Sequence, residues 1–432
     1  MNCSLNRGAA VALVGSFLLV GCGGSGTELP ATGEANIPTG ETVTALTLSG
    51  LVTDDPIVNA DVMISVGNTE FSSSVPTGSL GEFQVRIDSQ NPSALVKGTA
   101  YDAANGVRLT ATLDTFEGCV ELARNDVVNS VKITNITTAK QVLTERLALD
   151  GNVESFDEFV SLSSQVDATE LLELASAIKI VVENLGGNTL PSGYADTLAL
   201  ARSIAAGTST FESDVELLSP GILAQAQAKL LTDGHATLLF SADDAQGVYV
   251  SSENRYIYAM FGTGTALVDY FADQAFSTIP SWSITESGAI ELRYFDVNDS
   301  RDTLTLLSST DRSLQIVTDN SLGNQPRIAS TVTKYGFGGA FAQAAVVGQF
   351  ADPRNVNDRL TLQTDGVGFS TSGDQQTAFT WSIDEAGHLN IAWPNTGRTL
   401  ELINLDDGAS VLSITRFDGQ FPQLTVGTWS SS

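Results

Sequence analysis

Residues 281–292, SWSITESGAIEL, return about a hundred residues later as residues 380–391, TWSIDEAGHLNI. Each reads Trp-Ser-Ile, then a polar turn containing glycine, then apolar residues at alternate positions, which is a hairpin pattern. The likeness spreads outward in both directions. DTLTLLSSTDRSLQIVT (302–318) aligns with RTLELINLDDGASVLSIT (398–415). RYIYAMFGTGTA (255–266) aligns with RLTLQTDGVGFS (359–370), setting Gly262 and Gly264 opposite Gly366 and Gly368, and Gly247 stands opposite Gly348. Offsets of 96 to 104 residues make 235–335 and 336–432 two copies of one unit. Short alternating runs parted by turns predict that each copy is an antiparallel meander curling into a small barrel or sandwich.

A feature kept in both copies belongs to the architecture. Trp282 and Trp381 meet that test, and the large area of an indole suits a core position. Trp393 and Trp429 have no counterpart in the first copy and remain candidates for surface aromatics. The recurring order is an early glycine, a strand ending in a glycine-rich turn, Trp-Ser-Ile, and a second glycine turn. It resembles the lipocalin-like (calycin-like) repeats of bacterial envelope proteins.

Upstream, the period changes. In DATELLELASAIKIVVENLGG (167–187), Leu171, Leu174, Ile178, Val181 and Leu185 fall three and four apart, which places them on one helical face. Asp167 with Glu170 reads as a capping-box start and Gly186 as a stop. A further helix is expected to open at Ser219-Pro220, carry Ile222, Leu223, Ala226 and Leu230, and stop at Gly234. Residues 134–234 are therefore a helical connector. Before it, residues 45–133 alternate β-branched runs with the turn signals DDP, GN and TGSLG, as a β-sandwich does. Gly50, Val52, Pro56-Ile57, Asn59-Ala60, Val62, Ile64, Gly81, Phe83 and Val85 resemble the carboxypeptidase regulatory-like, or transthyretin-like, sandwich. That resemblance implies a structural spacer or adhesion support. The expected fold is thus multidomain and mainly β with an α-helical middle: antiparallel sandwich, connector, two tandem barrel repeats.

The chain begins differently. Arg7 precedes an apolar run from Ala9 to Val20, the layout of a secretory signal over residues 1–21. Leu19-Val20-Gly21-Cys22 resembles the lipobox of bacterial lipoproteins. The resemblance implies cleavage before Cys22, a diacylglycerol on its thiol and an acyl group on its amine. At roughly 0.8 kcal/mol per buried CH₂, two or three such chains anchor a folded domain durably. Residues 22–44, rich in Gly, Ser, Thr, Pro and Glu, read as a flexible tether. Gly23 after the lipidated position implies export to the outer membrane, facing the periplasm or the cell surface.

Composition narrows the partners. Fifty acidic against 21 basic residues give the 432-residue chain a net charge of −29, which disfavours nucleic acid and anionic surfaces. With Cys3 in the leader and Cys22 lipidated, Cys119 is left alone, so a disulfide framework is excluded within the mature chain. Cys119 is expected to be a buried packing residue, and a cysteine-based zinc site lacks ligands, His235 and His388 being the only histidines.

No catalytic or cofactor motif emerges. TGSLG lacks the nucleophile-elbow spacing, and GFGG (336–339) lacks the helix and lysine of a phosphate loop. Asp296, Asn298, Ser300 and Asp302 offer alternate oxygens for calcium. Arg301 stands where an EF-hand needs glycine, and Leu307 where it needs glutamate, so a solvated turn is favoured. The expectation is a lipid-anchored, non-catalytic envelope protein that binds an envelope protein, a glycan or an apolar ligand. A carbohydrate hydrolase with unidentified carboxylates and a calcium-stabilised adhesion protein are the alternatives.

Overall fold

The computed structural model describes residues 44–53, 56–242, 245–251, 256–270, 280–294, 300–310, 313–320, 327–418 and 422–430. The leader, Cys22 and all of the tether but Thr44 lie outside them, as do Asp296 and Asn298. No helix among the described residues is long and apolar enough to cross a membrane. The fold is mainly β with a helical middle and two C-terminal eight-strand curled sheets, as the sequence implies.

The sandwich packs two sheets. One orders β1 (Thr44–Thr53) between β4 (Glu82–Ser89) and β7 (Val127–Thr134); the other runs β3 (Thr69–Ser72), β2 (Asp61–Val66), β5 (Leu95–Asp102), β6 (Val107–Thr115). Strand β4 alternates strictly, burying Phe83, Val85 and Ile87 and exposing the residues between. One pair departs from the antiparallel expectation, since β1 and β7 run parallel. Their register shifts between Leu48 and Gly50, where a Cβ on Gly50 would stand 2.0 Å from the Val131 carbonyl oxygen. Only glycine permits that approach. Helix α1 (Phe116–Leu122), capped by the Thr115 hydroxyl, interrupts the strands and carries Cys119 fully into the core.

The connector contains α2 (Asn135–Leu147), α3 (Phe156–Ser163), α4 (Ala168–Val182), α5 (Thr197–Ala205), α6 (Phe211–Leu218) and α7 (Ile222–Thr232). In α4, Leu171, Leu174, Ile178 and Val181 are buried as their spacing predicts. Its ends differ in detail. The Asp167 carboxylate accepts from the Thr169 and Glu170 amides, but Glu170 turns to Arg146 instead of closing a capping box. The helix stops at Val182, one turn before Gly186, because Asn184 already takes a left-handed φ of 52°. Helix α7 likewise starts at Ile222, not Ser219. Its N-cap is Gly221, and Glu216 of α6 accepts from the Gly221 and Leu223 amides. The α4 face packs into the same core as the sandwich.

The first repeat comprises β8 (Gly247–Ser251), β9 (Tyr256–Met260), β10 (Ala266–Tyr270), β11 (Ser281–Ile284), β12 (Ile290–Arg293), β13 (Arg301–Thr310), β14 (Ser313–Asn320) and β15 (Ile328–Tyr335). Neighbours in sequence pair, except that β15 returns to β8 instead of β10 joining β11 along their length. Among the described residues that seam is held at its end, where Ala266 N donates to Pro280 O and Trp282 N to Gly264 O, each at 2.9 Å. The result is a nearly closed barrel. The second repeat has α8 (Gln343–Val346) followed by β16 (Gly348–Asp352), β17 (Asn355–Leu362), β18 (Val367–Ser372), β19 (Gln375–Ile383), β20 (Leu389–Trp393), β21 (Arg398–Asn404), β22 (Ser410–Arg416) and β23 (Gln423–Thr428). Here the order is unbroken from β16 to β23, and the two ends meet through Ala351 N donating to Ser430 O at 3.3 Å. Pro353, next along, has no N–H with which to extend that ladder.

The repeat is real, but its register is corrected at two places. Gly264 matches Gly366: each has φ of 78°, and each accepts from the amide of its Trp-Ser-Ile tryptophan. Across from Ile290 lies Leu304, and across from its equivalent Leu389 lies Leu402, so Leu304 matches Leu402 and not Leu400. Both errors are slips of two residues. A slip of two keeps every side chain on its face, so apolar alternation does not register it.

The first barrel is wedged between the other parts. Along β9 all five residues are buried: Tyr256, Tyr258 and Met260 fill the lumen, whereas Ile257 and Ala259 face outward. The outward residues, with Val248 and Leu267, pack on Ile403, Leu412, Ile414 and Leu424 of the second barrel. On the other side, Leu307 and Val317 join the connector core, and Gln315 Nε2 donates to the Ser163 carbonyl at 3.0 Å.

Candidate functional site

The second barrel keeps an open mouth. A pocket of about 480 Å³ lies where the chain enters that barrel, walled by Phe341, Val346, Val347, Phe350 and Trp429, with Asn404 and Gln349 among its polar lining. The walls are set by local geometry. Phe341 is placed by its amide donating to Gly387 O at 2.9 Å, and Trp429 by its amide donating to Ala409 O at 2.9 Å. Trp429 stacks on Phe350 with centroids 4.4 Å apart and meets Phe341 edge-on at 6.0 Å. Asn404 spends its amide on Gly339 O at 2.9 Å, which fixes the rim. No lining residue is charged.

The lumens of both barrels are filled. Tyr249, Tyr258, Ile290, Leu292 and Leu304 occupy the first; Leu360, Phe379, Trp381, Ile391 and Trp393 occupy the second. Trp381 is buried as expected, its Nε1 donating to Gln363 O at 3.0 Å, and Trp282 Nε1 reaches the matching Phe261 O at 2.9 Å. Trp393, a candidate surface aromatic in the sequence, is instead buried against Phe379, with Arg398 4.5 Å from its centroid. Its absence from the first copy reflects a different packing solution, not exposure. Trp429, half-buried, forms the pocket wall.

One cluster brings together groups able to hold a cation. Asp384, His388 and Glu401 place ligand atoms within 4.8 Å of one another, from the β19–β20 turn and β21. Their atoms are already engaged. Asp384 Oδ1 accepts from the Ala386 and His388 amides, and Oδ2 from Asn390 Nδ2 at 3.0 Å. Glu401 Oε1 lies 2.9 Å from His388 Nδ1, and Arg416 donates to Oε2 at 2.8 Å. Although burial acts the opposite way, the His388 amide, Asn390 and the neighbouring groups hold the Asp384 carboxyl below its ordinary range. In the first copy Thr285 Oγ1 accepts from the Ala289 amide at 3.0 Å, as Asp384 accepts from His388. Turn capping therefore accounts for Asp384, and a cation would have to displace Arg416 and Asn390.

Of the calcium turn, Ser300 and Asp302 are described. Asp302 is buried and accepts from Tyr294 Oη at 2.7 Å, so it serves the barrel interior. His235 is exposed at the start of the first repeat, far in sequence from any of these groups. The pocket was missed in the sequence because its walls come from 341–350 and 429, which alternation alone does not join. No protein-family model matches the chain, and no curated protein or solved structure matches it.

Proposed function

We propose that the chain is a non-catalytic lipoprotein of the cell envelope, anchored through a diacylglycerol and an N-acyl group on Cys22, and that its second barrel is the binding end. The observation that carries this reading is the position of the first barrel. Its lumen is filled and both outer sides are taken by its own chain, the connector on one and the second barrel on the other. The first barrel therefore acts as a spacer between the connector and the second barrel. The pocket at the free end supports an interaction or ligand-binding role toward an envelope protein, a glycan or an apolar ligand. It lacks the carboxylate pair that glycoside hydrolysis needs.

Two measurements test the proposal. Cys22→Ser should abolish metabolic palmitate labelling and move the protein to the soluble fraction, and retained labelling would refute the anchor. A photo-crosslinker at exposed Gln343 should capture an envelope component in intact cells, whereas one at exposed Leu149 on the connector should not. Equal capture from both positions would refute the assignment of the binding end.

A further inference from the structure

Resting on the second barrel as the binding end, we propose that its mouth is a site for one uncharged apolar molecule, with Ala340 as the residue that keeps it open. The two copies supply an internal comparison. Phe240 N donates to Gly288 O as Phe341 N donates to Gly387 O, which makes Leu239 the equivalent of Ala340. Leu239 lies over Gly288, its Cδ2 2.5 Å from where a Cβ would stand; at Gly387 only the Ala340 methyl takes that place. Leucine in one copy and alanine in the other show that the repeat fold does not require the smaller side chain.

Three other differences point the same way. Ala245 and Gln246 before the first barrel become Val346 and Val347 before the second, replacing a polar residue with an apolar one. Lys334 stands 6.0 Å over the Tyr249 ring in the first barrel, but Trp429 stacks flat on Phe350 in the second. The β8–β15 ladder that closes the first barrel above this region is reduced to the Ala351–Ser430 bond in the second. Each change enlarges the mouth or makes it more apolar.

Charge selects the ligand. An ionised ligand of either sign meets no counter-charge among the lining residues, and an anion is further opposed by a chain of net charge −29. A neutral apolar molecule gives up no ionic hydration on entry and covers the half-buried Val347 and Trp429. The volume falls in the range of small-molecule pockets, roughly 300–1,000 Å³. The source is either a free molecule or a hydrocarbon chain of a bilayer lipid.

The test uses the full chain carrying Cys22→Ser, so that no detergent is needed, with the neutral dye N-phenyl-1-naphthylamine as probe. Saturable binding of one dye per chain is expected, weakened at least tenfold by Ala340→Leu and by Trp429→Ala, with circular dichroism unchanged. Co-sedimentation with phosphatidylcholine vesicles that Ala340→Leu abolishes assigns the lipid source; dye binding without co-sedimentation assigns a free ligand. Absence of saturable binding, or equal binding by wild type and both variants, overturns the site. Crosslinking from Gln343 that survives that result leaves the binding end standing and removes only the ligand class.

Discussion

Replacing Lys140 by methionine should stabilise the joint between connector and first barrel. Lys140 lies on α2, 6% exposed, with its ammonium 3.4 Å from the Ser309 carbonyl of β13 and 5.3 Å from the Phe159 ring centroid. Burial lowers its pKa from 10.5 to about 7, with no neighbouring charge contributing. At about 1.4 kcal/mol per unit, that displacement corresponds to roughly 5 kcal/mol of penalty on the charged form. The sign follows. Between pH 7 and 10.5 the unfolded chain binds the extra proton, so stability rises with pH across that window and is flat below it. Methionine keeps the stem but loses the bond to Ser309 and the contact with the ring. A net gain of about 1–3 kcal/mol is expected at pH 6, shrinking toward pH 9.5. Hydrogen exchange of the β13–β14 amides, compared between wild type and Lys140→Met at pH 6 and, after correction for intrinsic exchange, at pH 9, reads the joint directly. A variant less protected at pH 6, or a difference that does not change with pH, would refute the reasoning.

Other expectations concern single groups. Glu183 is buried between Lys179 and Lys229, the latter at 2.8 Å; burial alone would raise its carboxyl, but the hydrogen bonds from both lysines hold it low. Glu183→Gln leaves the buried Lys179 ammonium without this carboxylate and should cost about 3–5 kcal/mol in urea unfolding. Trp381→Phe keeps a ring in the core but removes the indole N–H shared by the Gln363 and Val367 carbonyls and leaves part of the indole volume empty, and a loss of about 1–3 kcal/mol is expected for the second barrel. Gly366→Ala, at φ 78° and with the Trp381 carbonyl 3.3 Å from the new Cβ, should cost about 1–2 kcal/mol by the same assay. Carbon-detected NMR should find Asp384 titrating below the usual aspartate range. Its contribution is present at neutral pH and lost as pH falls through that lowered value; a normal midpoint would show that the turn is not capped as described.

Much of the architecture was legible because the apolar period changes along the chain. Strict alternation at Phe83, Val85 and Ile87, spacing of three and four at Leu171 to Val181, and the repeated Trp-Ser-Ile each reflect one buried face. What escaped is what a period does not carry. The parallel β1–β7 pairing joins segments about 80 residues apart, so no local pattern announces it. Helix ends moved because Glu216 and Asn184, not the nearest glycine or serine, set them. The site was the least legible part, since Phe341, Phe350 and Trp429 meet only through tertiary closure.

The different seams of the two barrels also bear on how the chain acquires its form. In the first, the β8–β15 ladder joins residues about 85 apart, and that loop must close before the sheet can curl. In the second, every ladder is a hairpin between consecutive strands, so its contact order is lower and its folding barrier smaller. The C-terminal half should therefore reach its native pairing sooner. It then offers Ile403, Leu412 and Ile414 as a ready surface on which Ile257 and Ala259 can settle while the slower sheet is still open.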